Sequence, residues 1–392
     1  MGGAFGYING SIPIRSLFAL LASSMGVYYI SKTHNIGKLA SMGILIIFNA
    51  LLLLGVCGGV GKNIFDKTWI SFIAIAVFVF LPANVQAKTF NEFMTLFTVT
   101  LLPSLLFYIL NLIGISIPYS ILPSYEAIKS SAGIYYRHSF LSAQLINPVA
   151  VINRFNGIYF EAGILGTVSA MFLCVKKYSF RGKDKWREKI LLVAGILSMS
   201  IAFILLSIIY FVSKNIASHN FKSVVALVAI MIIYSIAVSV PLRNPALANI
   251  QKRITVVDYS LQGDNRVSKK YDQVMEEYYA SNFKTHLIGF GRGTFGKRQG
   301  KLNFDGSSYK SILYDYGMLG FALYVGWFIL YGIKANIKFR IKLLDWLPVA
   351  IVQLANIYQN PAVFPIYFIL IYSGGLAELY QRREKNAEVE TV

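Results

Sequence analysis

Apolar residues run in long blocks along this chain, separated by short polar stretches. The blocks fall at Leu17–Ile30, Leu39–Val60, Phe93–Ile117, Ile158–Val175, Ile190–Val212 and Ser223–Val240, with further ones ending near Gln86 and Ile333. Several reach the roughly 20 residues that a helix needs to cross a ~30 Å hydrocarbon layer. The pattern predicts an all-α, polytopic transmembrane helical bundle of about nine to twelve membrane segments, one or two of them broken or re-entrant. The whole chain, 1–392, reads as a single integral membrane domain with extracytoplasmic loops at 118–157 and 241–310. Inside the second loop, Tyr271, Val274, Met275, Tyr278 and Tyr279 recur at helical spacing, which predicts a helix over Val267–Phe283 whose stripe packs on the membrane domain.

Composition agrees with the pattern: 56% hydrophobic residues, 14% charged residues and a mean hydropathy of +0.56. A soluble core of this length needs no such apolar excess. The first block lacks a small-residue cleavage site and is followed by more spans, so it is expected to be a retained helix and not a signal peptide. Cys57 and Cys174 both fall within apolar blocks and imply neither a disulfide nor a metal framework. The net charge of +19 raises nucleic acid as a partner. The basic residues sit in loops between apolar runs, however, without the interleaving of a nucleic-acid groove, so no nucleic acid is expected.

Charge placement orients the chain. The loop Lys176–Lys189 carries seven basic residues against two acidic ones, and Lys334, Lys338, Arg340, Lys342, Arg382, Arg383 and Lys385 follow later spans. The positive-inside rule puts these segments and the C-terminus in the cytoplasm. An odd number of crossings must then separate Lys176–Lys189 from the outer segment after Pro241, yet two apolar runs lie between them. The first, Ile190–Val212, is therefore predicted to break near Gly195, Ser198 and Ser200 into a re-entrant or paired hairpin. Another hairpin is expected to turn at Gln359-Asn360-Pro361. The segment Pro241–Lys310 holds twelve basic and six acidic residues against the rule. Long loops translocate regardless of charge, and an anionic ligand accounts for the excess.

Four motifs stand out. Arg154-Phe155-Asn156-Gly157-Ile158-Tyr159-Phe160-Glu161 sets an arginine and a carboxylate at the threshold of an apolar span, where charge is costly. Leu197-Ser198-Met199-Ser200 follows in the next run. Gly289-Phe290-Gly291-Arg292-Gly293-Thr294-Phe295-Gly296 lacks the ending of a phosphate loop and the βαβ context of a dinucleotide turn. It reads either as a flexible turn or as a backbone cradle for phosphate assisted by Arg292. Leu313-Tyr314-Asp315-Tyr316-Gly317-Met318-Leu319-Gly320 leads into a late span. The four histidines are scattered and no Asp-x-Asp signature is present, so neither a metal nor any other cofactor is expected. Arg154 and Glu161 read equally as a simple ion pair.

In this order and spacing, the four motifs resemble the O-antigen polymerase (Wzy-type) family within the polymerase and ligase superfamily. The resemblance covers about Pro118–Ile333. It departs where the family's Glu-Pro is Glu161-Ala162. Related ligases usually carry a His-Asn pair at the positions of Gly306 and Ser307, which favours polymerase over ligase. The resemblance implies a metal-independent glycosyltransferase of the cell inner membrane, with its active loops facing the periplasm. It would move a growing glycan from undecaprenyl diphosphate onto a new lipid-linked repeat unit. Its donor and acceptor would both be undecaprenyl diphosphate-linked oligosaccharides in contact with membrane lipids, and a chain-length regulator is left open as a partner. Glu161 would serve as base or as an arginine-orienting group. Arg154, Arg266 and Arg292 would bind the diphosphate or the donor, with Arg253 and Arg137 behind them and Asp305, Tyr309 and Asp315 on the sugars. An O-antigen ligase, a capsule or exopolysaccharide polymerase and a polysaccharide flippase are the alternatives.

Overall fold

A computed structural model describes residues 12–57, 68–115, 117–123, 135–139, 142–146, 153–159, 161–176, 184–216, 225, 251, 256–257, 260–261, 269–302, 304, 308–359 and 364–390. The run Ser223–Val240, apart from Val225, and the candidates Arg253, Arg266 and Asp305 lie outside the described residues. What is described is mostly helical. The chain, read above as one domain, divides into two compact units, residues 94–266 and residues 7–93 with 267–392.

In the first unit, the second half of α4 (Ala83–Leu112) leads to a three-stranded antiparallel sheet, β1 (Ser120–Pro123), β2 (Tyr135–Ser139) and β3 (Ser142–Ile146), in the order β1-β2-β3. The sheet occupies the loop expected over 118–157, where the hydropathy pattern gave no strand. Helices α5 (Ala162–Val175), α6 (Lys185–Leu197) and α7 (Ile201–Ile216) follow. α5 is apolar on every side, and a helix of that kind belongs in a core. Its residues Leu165 to Val175 are all buried, and Phe172 meets Phe97 of α4 at 5.1 Å between ring centroids.

The expected break in the Ile190–Val212 run is present: α6 stops at Leu197, α7 starts at Ile201, and Met199 between them has φ 46°. The two helices pair as a hairpin, because Glu188 in the first turn of α6 accepts hydrogen bonds from Tyr210 and Lys214 near the end of α7. Small residues permit the turn. A Cβ on Gly195 would overlap the Phe203 ring, and one on Gly166 would come within 3.0 Å of Ser198 and Ser200. A short pair β4 (Val256–Val257) and β5 (Ser260–Leu261) completes the described part of this unit.

The second unit gathers α1 (Ile12–Thr33), α2 (Ala40–Leu51) with a π-helical turn over Leu52–Val56, α3 (Thr68–Phe80) and the start of α4. To these it adds α8 (Lys269–Tyr279), α9 (Phe283–Ile288), α10 (Thr294–Leu302), α11 (Lys310–Phe339), α12 (Leu343–Gln359) and α13 (Ile366–Glu390). An aromatic core of Tyr324, Trp327, Phe328 and Tyr331 on α11 packs with Phe364 and Tyr372. Among the described residues two helices are long and apolar enough to cross a membrane, Ala83–Leu112 and Lys310–Phe339. The other apolar helices are shorter, among them Ala40–Val56 in place of the span expected over Leu39–Val60.

The junction of α3 and α4 illustrates how the unit is held. Pro82 ends α3 and strands its last carbonyls, which an apolar interior penalises. Each finds a donor: Gly37 N–H gives 2.8 Å to Phe80 O, and Gln86 Nε2 gives 3.1 Å to Val79 O and 2.7 Å to Leu81 O. Gln86 Oε1 in turn accepts from Ser373 of α13, whose hydroxyl accepts from Tyr331 of α11. One buried amide thus ties four helices. Replacing it by leucine takes the Gln86 donor from two carbonyls and the acceptor from the Ser373 hydroxyl, at a cost of about 2 kcal/mol. Gln86→Leu should therefore lower the thermal unfolding midpoint of the purified protein, and Ser373→Ala should lower it less. A Gln86→Leu protein as stable as the wild type would show that the relay contributes nothing.

Candidate functional site

The four motifs come together two by two, each pair within one unit. In the first unit, residues Phe155 to Tyr159 form a buried turn flanked by half-buried Arg154 and Glu161. Gly157 supplies the positive φ of 58° that the turn requires, Tyr159 N–H closes it at 2.9 Å onto Asn156 O, and the Asn156 amide donates back to Tyr159 O at 2.6 Å. Tyr108 fixes the entrance by donating to Asn153 O at 2.8 Å.

This turn docks on the break between α6 and α7. Phe155 N–H gives 3.0 Å to Leu197 O, and Arg154 Nε gives 2.8 Å to Ser198 O. Arginine thereby caps the carbonyl end of α6, where the helix dipole is negative. Glu161 is the N-cap residue of α5 and makes no capping bond with its side chain. It stands at the positive end of that helix dipole, which stabilises a carboxylate. Arg137 on β2 lies with its guanidinium 4.7 Å above the Tyr119 ring. The two Arg154-motif residues are thus close in the fold to the Leu197–Ser200 motif, which sequence spacing could not reveal.

In the second unit, the glycine-rich motif wraps around Asp315. Phe290 N–H donates to Tyr314 O at 2.8 Å and Gly291 N–H to Asp315 O at 3.0 Å. The Asp315 carboxylate accepts from Gly293 N–H and Phe295 N–H, both at 2.7 Å, and so caps α10. The backbone donors that a phosphate cradle would offer are therefore engaged by the protein's own anion. Of the two readings left open for this motif, the cradle has its Gly293 and Phe295 N–H groups taken by Asp315, the residue expected on the sugars, which here caps α10. Arg292 is half-buried between Gly291 and Gly293, whose φ values are 100° and 71°.

The carboxylate is placed by a kink. Gly317 interrupts α11 with φ 67° and ψ −173°, and Gly289 at φ 78° and ψ −179° lies against it. A Cβ at either would press into backbone of the other, so only glycine fits at both. Tyr309, expected on the sugars, precedes the first turn of α11 and rests near the Phe321 and Tyr358 rings.

The helix expected over Val267–Phe283 is shorter, Lys269–Tyr279, and is followed by α9 and α10. Tyr271, Val274, Met275 and Tyr278 are buried with Phe295, Phe304 and Tyr314, whereas Tyr279 is exposed. The stripe packs mainly within its own segment and reaches α11 only through Tyr314 and Leu313. Burial pushes the Tyr271 hydroxyl up to about 12, outweighing the opposite pull of its 2.6 Å hydrogen bond with Ser308, so it stays protonated as a structural group. His286 is likewise engaged, 2.7 Å from Tyr278 O.

Glu277 was not singled out by sequence. It accepts from Tyr314 at 3.0 Å and pairs with Arg298 at 3.3 Å. Its position three residues after buried Val274 was the available signal. Among the described residues no three histidine, cysteine or acidic side chains gather as metal ligands would. Asp315→Asn keeps one acceptor where two donors need one each. It should loosen α8–α10 by about 1–3 kcal/mol and speed limited proteolysis of that segment. Unchanged proteolysis would deny Asp315 its capping role.

No family model matches the chain, and no curated protein or solved structure matches it either.

Proposed function

We propose that this protein is an O-antigen polymerase, a glycosyltransferase of the inner membrane that extends a polysaccharide on a lipid diphosphate carrier. The observation that carries the reading is the pairing of its motifs. The Arg154 turn rests on Leu197–Ser198, and the glycine-rich loop rests on Asp315, although 44 and 22 residues separate the bonded partners. Four segments whose order resembles that family are thus contact partners and not scattered coincidences. In this reading the chain forms about nine to twelve membrane segments, with 118–157 and 241–310 on the periplasmic side.

The reaction asks the protein for charge, orientation and a base. The acceptor hydroxyl oxygen attacks the anomeric carbon of the donor glycan. The bond from that carbon to the diphosphate breaks, and its electron pair leaves with the diphosphate. The hydroxyl proton passes to a carboxylate, for which Glu161 is the candidate. Arg154 suits the departing charge, because a planar, permanently charged guanidinium matches the geometry of phosphate oxygens. Arg266 and Arg253, which lie outside the described residues, enter as further cations on sequence grounds, as does Asp305 for the sugars. Arg137, Arg292 and Tyr309 remain candidates for donor and sugar binding. Nothing in the scheme requires a cofactor.

Arg154 also caps α6, so its loss tests folding and chemistry together. Glu161→Gln removes the charge while keeping the size of the side chain, which makes it the cleaner probe. In a strain lacking the chromosomal gene, that variant should reach the membrane in normal amount yet lower polymerisation about 100-fold or more. The polysaccharide ladder on a gel would collapse to single repeat units. Arg154→Lys should recover only part of the ladder, since lysine supplies charge without the fork. A full ladder from a normally expressed Glu161→Gln protein would refute the assignment of the base. Loss of every glycan from the lipid core, with polymer still made on the carrier, would mean a ligase.

A further inference from the structure

At the end of the second unit where α11 turns into α12, an open cleft of about 370 Å³ is lined by Ile333, Asn336, Ile337, Ile341, Leu343 and Trp346. Its rim is apolar and exposed: Ile337, Leu343 and, one turn on, Leu347 are 67%, 60% and 42% accessible. Immediately beside them stand Lys338, Arg340 and Lys342, all exposed. Arg340 adopts the left-handed conformation, φ 50° and ψ 38°, at the end of α11, a place that glycine fills more easily.

More positive charge converges from elsewhere in the unit. Lys334 bonds to Ser41 at the start of α2. Lys38 lies 4.7 Å over the Tyr380 ring, which itself stacks on Phe339 at 4.5 Å. The nearby acids are Asp345 in the first turn of α12 and Glu384, which accepts from Tyr380. Lys338, Arg340 and Lys342 thus adjoin in sequence the aliphatic and indole residues that line the cleft, with Lys334 and Lys38 elsewhere in the same unit.

An apolar groove with exposed cations beside it in the chain complements one class of molecule, an amphiphile with an anionic head. We propose that this cleft is a binding site for an anionic phospholipid, one acyl chain lying along Ile337, Leu343 and Trp346 and the phosphate held by Lys338, Arg340 and Lys342. The inference rests on the membrane reading given above but not on the reaction assigned there. Positive-inside topology alone would place cations here without any lipid preference, and that is the alternative to be separated.

Trp346 in the cleft wall is a built-in reporter. The full-length protein would be reconstituted in phosphatidylcholine bilayers in which a small fixed fraction of lipid carries acyl-chain bromine, on phosphatidylglycerol or on phosphatidylcholine. The fluorescence difference between wild type and Trp346→Phe isolates this residue. Brominated phosphatidylglycerol should quench it several-fold more than brominated phosphatidylcholine. Each basic residue removed should reduce that preference roughly fivefold. The variant Lys338→Gln with Arg340→Gln and Lys342→Gln should abolish it while leaving quenching by brominated phosphatidylcholine intact, which reports a folded groove. Equal quenching by the two lipids, or a preference that survives the triple replacement, would overturn the lipid site and leave the membrane reading standing. Quenching by neither lipid would overturn both.

Discussion

A backbone carbonyl or amide deprived of its helical partner in apolar surroundings must be met by another group, and the described structure is organised around the places where that happens. Helix α3 ends at Pro82 and its carbonyls are met by Gln86 and Gly37. Helix α6 ends at Ser198 and is met by Arg154 and Phe155 N–H. Helix α11 kinks at Gly317, and the strands of chain around it are stitched by Asp315. Gln86 and Arg154 answer carbonyls of another helix, and Asp315 of α11 answers N–H groups at the start of α10. Local breaks in regular structure therefore become tertiary ties, because an unmet polar group would cost several kilocalories in such an environment.

This rule explains which features were legible in the sequence. The break after Gly195 could be read, because serine and glycine clustered inside an apolar run announce an interrupted helix. The stripe from Tyr271 to Tyr278 could be read from its period, while Tyr279 fell one position beyond the buried arc. Asp315 as the partner of the glycine-rich loop could not be read, since the loop's free N–H groups look the same whether their anion is a ligand or a side chain 20 residues away. The strands between Ser120 and Ile146 were equally hidden. Their residues are mixed in polarity, and pairing, not periodicity, defines them.

The same rule sharpens the chemistry assigned to the candidates. With the nest around Asp315 filled, a diphosphate would have to be gripped by side chains and not by backbone amides, which places the demand on arginine. In the proposed reaction Arg154 would meet that demand from a held stem, because its Nε bond and the neighbouring Phe155 N–H bond tie it to the end of a helix. A cation so fixed does not need to be reorganised when charge develops on a leaving group. Glu161, at the other end of the same buried turn, is positioned by the onset of α5.

The interlocked glycines at 289 and 317 also set a length. Beyond the kink, α11 continues from Met318 to Phe339 before Arg340 turns the chain. Those 22 residues extend about 33 Å at 1.5 Å per residue. One end is pinned by touching backbones and the other by a charged corner, so the segment can neither unwind nor lengthen to suit its surroundings. In a bilayer thicker or thinner than this helix, the lipids would have to deform around the protein.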